Sequence, residues 1–199
     1  MTDCIQIVEQ GTELAEELLR FVENCSWDEA KDHIAKNIRE WAFTDWETMF
    51  AAIRDGKIVG MASVMKTDYY PLPEVFPWVS SIFVSEEYRG QRISGELIAC
   101  ANRYLQERGF ARSYIPSEFT GLYEHYGYRY LRDIVNYGGG IDRLYVKELG
   151  EENDSTDRQI SGKCDYEIKM GMLGGAALRF MRQRDLVDYA VGWIEKNRK

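Results

Sequence analysis

Residues 80–98 read Ser80-Ser81-Ile82-Phe83-Val84-Ser85-Glu86-Glu87-Tyr88-Arg89-Gly90-Gln91-Arg92-Ile93-Ser94-Gly95-Glu96-Leu97-Ile98. The apolar run from Val79 to Val84 predicts a strand, which ends at three polar residues. A stripe with the spacing of one buried helix face follows, at Ile93, Leu97, Ile98, Ala101 and Leu105. Two arginines and two glycines lie in or beside the turn between them. Because free N–H groups at a helix N-terminus attract anions, this turn is a candidate phosphate cradle.

The composition sets the scale of the molecule and argues against one class of function. The 199 residues are enough for one full domain with an appendage. Hydrophobic residues make up 45% and charged residues 29%, which is ordinary for a soluble globular protein. The net charge of −8 argues against bulk nucleic-acid binding, which needs a basic surface, and leaves room for a cationic substrate.

Neither a metal site nor a membrane segment is expected. The cysteines at positions 4, 25, 100 and 164 form no CxxC motif, and the chain has two histidines, so we predict no structural zinc. No apolar run has membrane-spanning length. The segment Met1-Thr2-Asp3-Cys4 lacks the basic-then-apolar pattern of a secretion signal, and we therefore expect a cytoplasmic protein.

The residues before the turn predict a strand, two helices and a hairpin. Residues 4–9 alternate as a strand, and Gly11-Thr12 opens a helix. Ser26-Trp27-Asp28-Glu29 has the pattern of a capping box that starts a second helix. Strands are expected over 46–54 and 58–67, joined by a tight turn at Asp55-Gly56. Residues 69–77 contain three prolines, so they are either a packed connection or one wall of a substrate pocket.

After the central helix the pattern returns to strands. The helix is predicted to end near Gly109, and a strand over 110–115 is predicted to stop at Pro116. A short helix over 120–127 and two strands over 128–136 and 141–148 complete the main domain. This order predicts an α/β fold: one mixed, mostly antiparallel sheet with helices on both faces.

Three regions follow from the composition: a main domain over 1–149, an acidic linker over 150–163, and a helical extension over 164–199. The apolar spacing over 175–197 predicts a helix with a basic surface. It could pack on the main domain, form the arm of a homodimer, or remain a disordered tail. A membrane-surface helix is disfavoured because Arg184 and Asp188 interrupt its apolar face.

Two motifs resemble those of the GNAT acetyltransferases. Val84-Ser85-Glu86-Glu87-Tyr88-Arg89-Gly90-Gln91-Arg92-Ile93-Ser94-Gly95 resembles the family's acetyl-CoA signature, a strand followed by an acidic-Tyr-Arg-Gly-x-Gly-x-Gly turn into a helix. Gly121-Leu122-Tyr123-Glu124-His125-Tyr126-Gly127-Tyr128 resembles the second motif, Leu-Tyr-Glu-x-x-Gly-Phe. The resemblance covers about residues 3–148 and implies a sheet splayed between its fourth and fifth strands, at about 78–85 and 111–115.

The resemblance also implies roles for individual residues. The main chain of Ile82, Phe83 and Val84 is expected to pair with the pantetheine arm of acetyl-CoA. The pyrophosphate is expected on the main chain of Arg89, Gly90, Gln91, Arg92, Ile93, Ser94 and Gly95, with both arginine side chains nearby. Tyr123 matches the tyrosine that protonates the departing thiolate, and a phenol with a pKa of about 10 is suited to this.

Two departures from the family pattern stand out. Arg92 and Ser94 occupy positions where the family usually has glycine. The fourth strand offers Ser80 and Ser81 where many members supply a glutamate base. Alternative proton acceptors are Asp68, Glu74 and Glu118, or a chain of water molecules. Glu74, Trp78 and Ser80 are our candidates for contact with the acceptor.

The function expected from the resemblance is direct transfer of an acetyl group from acetyl-CoA to a primary amine in a ternary complex, without a metal. The acceptor would be a small-molecule or peptide amine, such as an aminoglycoside, a polyamine or a peptide amino terminus. A non-catalytic acyl-CoA sensor is the alternative within the same fold. The hypothesis that the chain is an unrelated α/β structural protein requires both motif matches to be accidental.

Overall fold

The computed structural model describes residues 3–150, which form one seven-stranded sheet with helices on both faces. The strands are β1 (Cys4–Val8), β2 (Thr48–Arg54), β3 (Lys57–Met65), β4 (Trp78–Val84), β5 (Arg112–Ser117), β6 (Arg129–Val135) and β7 (Ile141–Glu148). The helices are α1 (Glu13–Asn24), α2 (Lys31–Glu40) and α3 (Ile93–Glu107). The predicted linker and C-terminal extension lie outside the described residues, apart from Gly150.

The sheet order is β1-β2-β3-β4-β5-β7-β6, and β4 with β5 is the parallel pair among otherwise antiparallel neighbours within residues 3–150. This confirms the predicted mixed sheet. The β2–β3 hairpin turns at Asp55 and Gly56, whose φ values are 47° and 76°. Both residues therefore adopt the left-handed conformation that a tight hairpin turn of this kind requires, as their sequence predicts.

The helices divide the hydrophobic core into two layers. α3 buries Leu97, Ile98 and Leu105 against one face of the sheet, together with Val64 and Val79. α1 and α2 cover the other face with a second set of buried residues, among them Leu18, Val22, Ile34, Ile38 and Met61. Strand residues alternate between these layers because successive side chains of a strand point to opposite faces.

The start of α1 follows its prediction, and the start of α2 does not. The Thr12 hydroxyl caps α1 by accepting from the Ala15 N–H at 3.2 Å. The predicted capping box at Ser26 is wrong, because the Ser26 hydroxyl donates to the Glu86 carboxylate instead. α2 begins after Ala30, one turn later, where the Lys31 N–H already bonds the Trp27 carbonyl at 2.9 Å. A long-range partner thus takes the hydroxyl that the local pattern assigned to the helix end.

Residues 69–77 pack against the sheet, as one of the two interpretations predicted. Tyr70 stacks on the Trp78 indole with a centroid distance of 5.6 Å and an interplanar angle of 17°. Val75 and Trp78 are buried with Ile134 and Leu144 in a small third cluster. The segment therefore covers the amino-terminal end of β4.

Two predictions after α3 need correction. β5 does not stop at Pro116 but continues to Ser117, with Pro116 opposite Leu144 of β7. Proline is tolerated in a strand that has an open edge, and β5 has diverged from β4 at this point. The predicted helix over 120–127 is a single 3-10 turn, Glu124–Tyr126, closed by Gly127 with φ 80°. Within residues 3–150, no helix is long and apolar enough to cross a membrane.

Candidate active site in the opening of the sheet

The sheet opens between β4 and β5. In the described part of the chain these strands pair at one position, Trp78 opposite Tyr114, where the Tyr114 N–H also bonds the Pro77 carbonyl at 3.0 Å. Beyond it, β4 continues along β3 and β5 continues along β7. The carboxyl-terminal halves of two neighbouring parallel strands therefore diverge. This is the splay that the family resemblance implied.

A bulge in β4, at Ser81 and Ile82, lies three and four residues beyond the point of divergence. Ser80 lies opposite Ser63 and Phe83 opposite Met61, so Ser81 and Ile82 together face one residue of β3. Ser81 has φ 52°, a left-handed conformation that few residues other than glycine adopt. Bulges turn side chains to new directions and occur next to functional sites. This one leaves Val79 and Ile82 on the α3 side although they are three residues apart.

The turn from β4 into α3 keeps a glycine-like backbone at Arg92, where the family pattern has glycine. Gly90 and Arg92 have φ values of 79° and 63°, and Arg92 is the N-cap of α3. Among residues 3–150, the Arg92 side chain makes no capping hydrogen bond to the helix. Arg92 is therefore a left-handed residue at the position where the family pattern has glycine. The main-chain N–H groups of the first turn of α3 come directly after Arg92 in the chain.

The Ser94 side chain is turned toward the second motif. Its Oγ lies 3.0 Å from the Tyr126 hydroxyl. The Tyr126 ring also covers Gly95 so closely that a Cβ there would lie 2.7 Å from the ring. Gly95 is therefore needed for contact with Tyr126, and this contact joins the two sequence motifs.

The Arg89 side chain contacts the end of β4 and a neighbouring carboxylate. Its Nε donates to the Val84 carbonyl at 3.0 Å, and its Nη2 lies 2.7 Å from the Glu86 carboxylate. The guanidinium carbon lies 5.8 Å from the centre of the Phe83 ring. The Arg89 side chain runs back toward the end of β4 and stays exposed, as do Gln91 and Arg92 on the turn. The Arg89 guanidinium is already engaged with the Val84 carbonyl and Glu86.

Tyr123 lies on the β5 side of the opening, immediately before the 3-10 turn. It is 8% exposed, and its ring centre is 5.6 Å from that of Tyr145 and 6.4 Å from that of Tyr128. Burial raises the pKa of Tyr123, and its hydrogen bond with the Ser117 side chain partly opposes this. The phenol therefore keeps its proton at neutral pH and can act as an acid.

The three acceptor candidates do not all come together. Trp78 is fully buried where β4 and β5 meet, and half-buried Ser80 is two residues further along β4. Glu74 is exposed, and its carboxylate lies 3.9 Å from the Arg132 guanidinium. Trp78 and Ser80 therefore share the start of the opening, and Glu74 faces solvent.

Of the three candidate bases, Asp68 lies next to β4. It accepts hydrogen bonds from the Ser80 hydroxyl and, at 2.5 Å, from the Tyr69 N–H. Burial raises the pKa of Asp68, with the two hydrogen bonds opposing the shift. Glu118, like Glu74, is exposed.

Sequence reasoning missed three residues around this site. Ser63 is buried opposite Ser80, Asp142 accepts from the Tyr70 hydroxyl at 2.9 Å, and Tyr126 contacts Ser94. The strand register could have indicated Ser63 once the hairpin was paired. The other two contacts join residues that are 72 and 32 positions apart, and no local pattern signals them.

Comparisons with known proteins agree with this geometry. A sequence model described as Acetyltransferase (GNAT) family matches residues 11–128. An aminoglycoside 6'-acetyltransferase type Ii structure is 17% identical with a TM-score of 0.57, covering 73% of this chain and 96% of its own. An aminoglycoside 6'-N-acetyltransferase complexed with coenzyme A is 15% identical with a TM-score of 0.57, covering 75% and 99%.

An acetyltransferase from Streptococcus agalactiae is 18% identical with a TM-score of 0.56, covering 74% of this chain and 98% of its own. At such identities the structural matches establish the fold alone. No curated protein sequence matches the chain significantly. The family match spans more than half of the chain and includes both motifs, the sheet opening and the turn into α3. The chain belongs to the GNAT acetyltransferase family.

Proposed function

We propose that this protein transfers an acetyl group from acetyl-CoA to a primary amine, by direct attack in a ternary complex. One observation carries the proposal: β4 and β5 diverge beyond Trp78 and Tyr114, and β4 then leads into the N-terminus of α3. An extended acetyl-CoA molecule needs an unpaired strand edge for its pantetheine arm and an anion site in line with that edge for its pyrophosphate. The opening supplies the first, and the start of α3 supplies the second.

The residues at this place fit acetyl-CoA. Main-chain groups of Ile82, Phe83 and Val84 are proposed to pair with the pantetheine arm. The pyrophosphate is proposed to bind main-chain N–H groups of the turn, at Arg89, Gly90, Gln91, Arg92, Ile93, Ser94 and Gly95. Arg92 is proposed to add its exposed guanidinium, and Arg89 to hold the end of β4 through the Val84 carbonyl.

A carboxylate near a phosphate site would repel the ligand, and Glu96 lies in the first turn of α3. Its charge is compensated because Glu96 forms a buried ion pair with Arg54. This pair supports the proposal that the start of α3 can accept an anion.

The chemistry proposed for the opening uses few groups. Main-chain N–H groups near Val84 polarise the thioester carbonyl as charge develops on its oxygen. Tyr123 donates its proton to the departing thiolate, which its raised pKa supports. Holding both reactants in one cleft supplies the proximity that direct transfer needs.

The acceptor is proposed to be a cationic primary amine that contacts Trp78 and Ser80, with Glu74 at the outer rim. Two structural neighbours are aminoglycoside acetyltransferases, which supports aminoglycosides as one class to test. Polyamines and peptide amino termini are the others. A cytoplasmic location and a homodimer are further parts of the proposal.

The test combines binding with turnover. Calorimetry of the full chain with acetyl-CoA should show binding at micromolar to millimolar ligand. Release of free CoA should then depend on the amine in a panel of kanamycin, spermidine and a short peptide with a free amino terminus. Binding without release on any amine would favour the acyl-CoA sensor. No binding at millimolar acetyl-CoA would contradict both functions.

A further inference from the structure

We propose that the Asp68–Ser80 pair removes the proton from the acceptor amine, with Ser80 touching the amine and Asp68 receiving the proton through it. The inference rests on the proposed acetyl transfer and specifies the side from which the amine approaches. In this proposal Asp68, from the segment after β3, takes the role of the glutamate that β4 lacks.

The position of the pair follows from the strands. Ser80 is two residues beyond Trp78, the point where β4 leaves β5, and one residue before the bulge at Ser81. Asp68 follows the end of β3 and accepts from the Ser80 Oγ. The Ser80 hydroxyl therefore lies at the narrow end of the opening and is hydrogen-bonded to the Asp68 carboxylate.

Strand alternation places Ser80 on the face away from α3. Val79 belongs to the α3 core, so its neighbours Trp78 and Ser80 point to the opposite face. Ser63 is the register partner of Ser80, and its neighbours Ala62 and Val64 belong to the α3 core. Three polar side chains thus lie side by side on the face that α1 and α2 cover.

Two of these side chains point independently to a ligand. Ser63 is 1% exposed and Trp78 is fully buried, yet neither the Ser63 Oγ nor the Trp78 Nε1 has a hydrogen-bond partner within residues 3–150. Buried polar groups are normally satisfied, because leaving one without a partner destabilises the folded protein. Both flank Ser80, where a polar acceptor group or its water would satisfy them.

Burial makes Asp68 a stronger base than a surface carboxylate. Loss of hydration is the largest influence and raises the pKa of Asp68. Within residues 3–150, the charged groups acting on Asp68 are His33 from α2, which lowers its pKa, and Asp142 from β7, which raises it. A carboxylate with a raised pKa lies closer to the neutral range in which a base works best.

The competing carboxylates are less suited. Glu74 and Glu118 are exposed, and exposure leaves them hydrated. Asp142 lies nearby, but its Oδ2 already accepts from the Tyr70 hydroxyl at 2.9 Å and from the Asn136 side-chain amide at 3.0 Å. Asp68 is the carboxylate that contacts a β4 side chain pointing into the acceptor face.

The proton balance closes without another reactant. The bound ammonium first gives one proton to solvent, and the neutral amine nitrogen then bonds to the thioester carbonyl carbon as the carbon–sulfur bond breaks. The departing N–H proton passes to Ser80 Oγ while the Ser80 proton passes to Asp68 Oδ2, so the hydroxyl is regenerated. Tyr123 protonates the thiolate. Exchange with solvent then returns Asp68 and Tyr123 to their starting states, and the products are an amide and CoA.

The experiment measures kcat against pH for the wild type and five full-length variants, with the best amine of the kanamycin, spermidine and peptide panel. Asp68→Asn keeps the side-chain shape and should lower kcat by about 100-fold and remove the acid limb of the profile. Asp68→Glu should restore that limb in part. Ser80→Ala should cost less than Asp68→Asn, because water can replace the hydroxyl. Asp55→Asn is the matched control at the other end of β3, exposed and left-handed, and should leave kcat unchanged.

The outcomes separate this inference from the proposed function. Thermal unfolding of each variant shows whether it folds, and a KM for acetyl-CoA unchanged by Asp68→Asn would place the loss in the chemical step. If the acid limb persists in Asp68→Asn while the wild-type protein transfers acetyl groups, the assignment of Asp68 as the base is overturned and the proposed acetyl transfer stands. Loss of the limb in Glu118→Gln instead would assign the proton to Glu118. No transfer by the wild-type protein would overturn both proposals.

Discussion

The two sides of the sheet opening are built in different ways. On the α3 side, the proposed acetyl-CoA site is formed by a continuous segment, residues 82–95, and one contact from Tyr126. On the α1–α2 side, the proposed acceptor site joins Asp68 to Ser80 and Tyr70 to Asp142, across 12 and 72 positions of sequence. A continuous segment can carry a sequence motif, whereas a site assembled from distant segments cannot. The first side was therefore recognisable from sequence, and the second required the fold.

The largest effect that sharpens this comparison is expected at Tyr123, which is buried in the core on the α3 side. Tyr123→Phe removes the proton donor and keeps the ring that packs on Tyr145. We expect kcat to fall about 100-fold while the affinity for acetyl-CoA stays within twofold. Stopped-flow release of CoA and calorimetry measure the two quantities.

The control for Tyr123 is Tyr137→Phe, which removes a hydroxyl from a residue that is 67% exposed. It should change neither quantity. An equal loss of kcat and of acetyl-CoA affinity in Tyr123→Phe would show that the residue supports the fold and not the proton transfer.

The next effect tests the contact between the two motifs. Gly95→Ala would place a Cβ 2.7 Å from the Tyr126 ring, and overpacking of this kind costs about 1–3 kcal/mol of unfolding free energy. Urea unfolding measures the loss. In the double variant with Tyr126→Leu the loss should be smaller than the sum of the two single losses. Additive losses would contradict the close approach of ring and helix.

A smaller effect is expected at Arg92. Its left-handed backbone costs about 1 kcal/mol for a residue with a Cβ, so Arg92→Gly should raise the unfolding free energy by a similar amount. The same change removes the exposed guanidinium and should weaken acetyl-CoA binding most at low salt. Arg129→Gln, an exposed cation on β6, is the control for loss of charge. If Arg92→Gly leaves acetyl-CoA binding unchanged, the Arg92 side chain does not contribute to the phosphate site.

The smallest effect concerns the acceptor side, and its sign follows from the raised pKa of Asp68. An acid with a higher pKa in the folded state prefers to be protonated there. The folded protein is therefore favoured at low pH, and stability contributed by Asp68 is lost as pH rises through its folded pKa. Asp68→Asn should abolish this slope relative to wild type in urea unfolding at several pH values. A slope of the opposite sign would contradict the burial of the carboxylate.

Much of the fold could be predicted from local pattern. The hairpin at Asp55-Gly56, the Thr12 cap and the buried stripes of α1 and α3 all follow from residues close in sequence. The failures occurred where tertiary contacts override local signals. Ser26 bonds Glu86 in place of its own helix, and Pro116 stays in a strand because the neighbouring edge is open.

The same distinction applies to the site. The turn at Arg89–Gly95 and Tyr123 could be proposed from two motifs, but the direction of the Arg89 and Ser94 side chains could not. Arg89 bonds the Val84 carbonyl, and Ser94 bonds Tyr126, contacts that depend on how the turn folds back on β4 and on the second motif. The sequence offers Asp68, two other carboxylates or a chain of water molecules as the base, and the structure places Asp68 against Ser80.

The most direct test of the proposed function is a single-turnover experiment with acetyl-labelled acetyl-CoA and the amine panel. We predict that the label moves to an amine in one kinetic phase, only when an amine is present, and that no labelled protein accumulates. Label that stays on acetyl-CoA with every amine, despite measured binding, would contradict acetyl transfer. Label that accumulates on the protein before reaching the amine would contradict direct attack in a ternary complex.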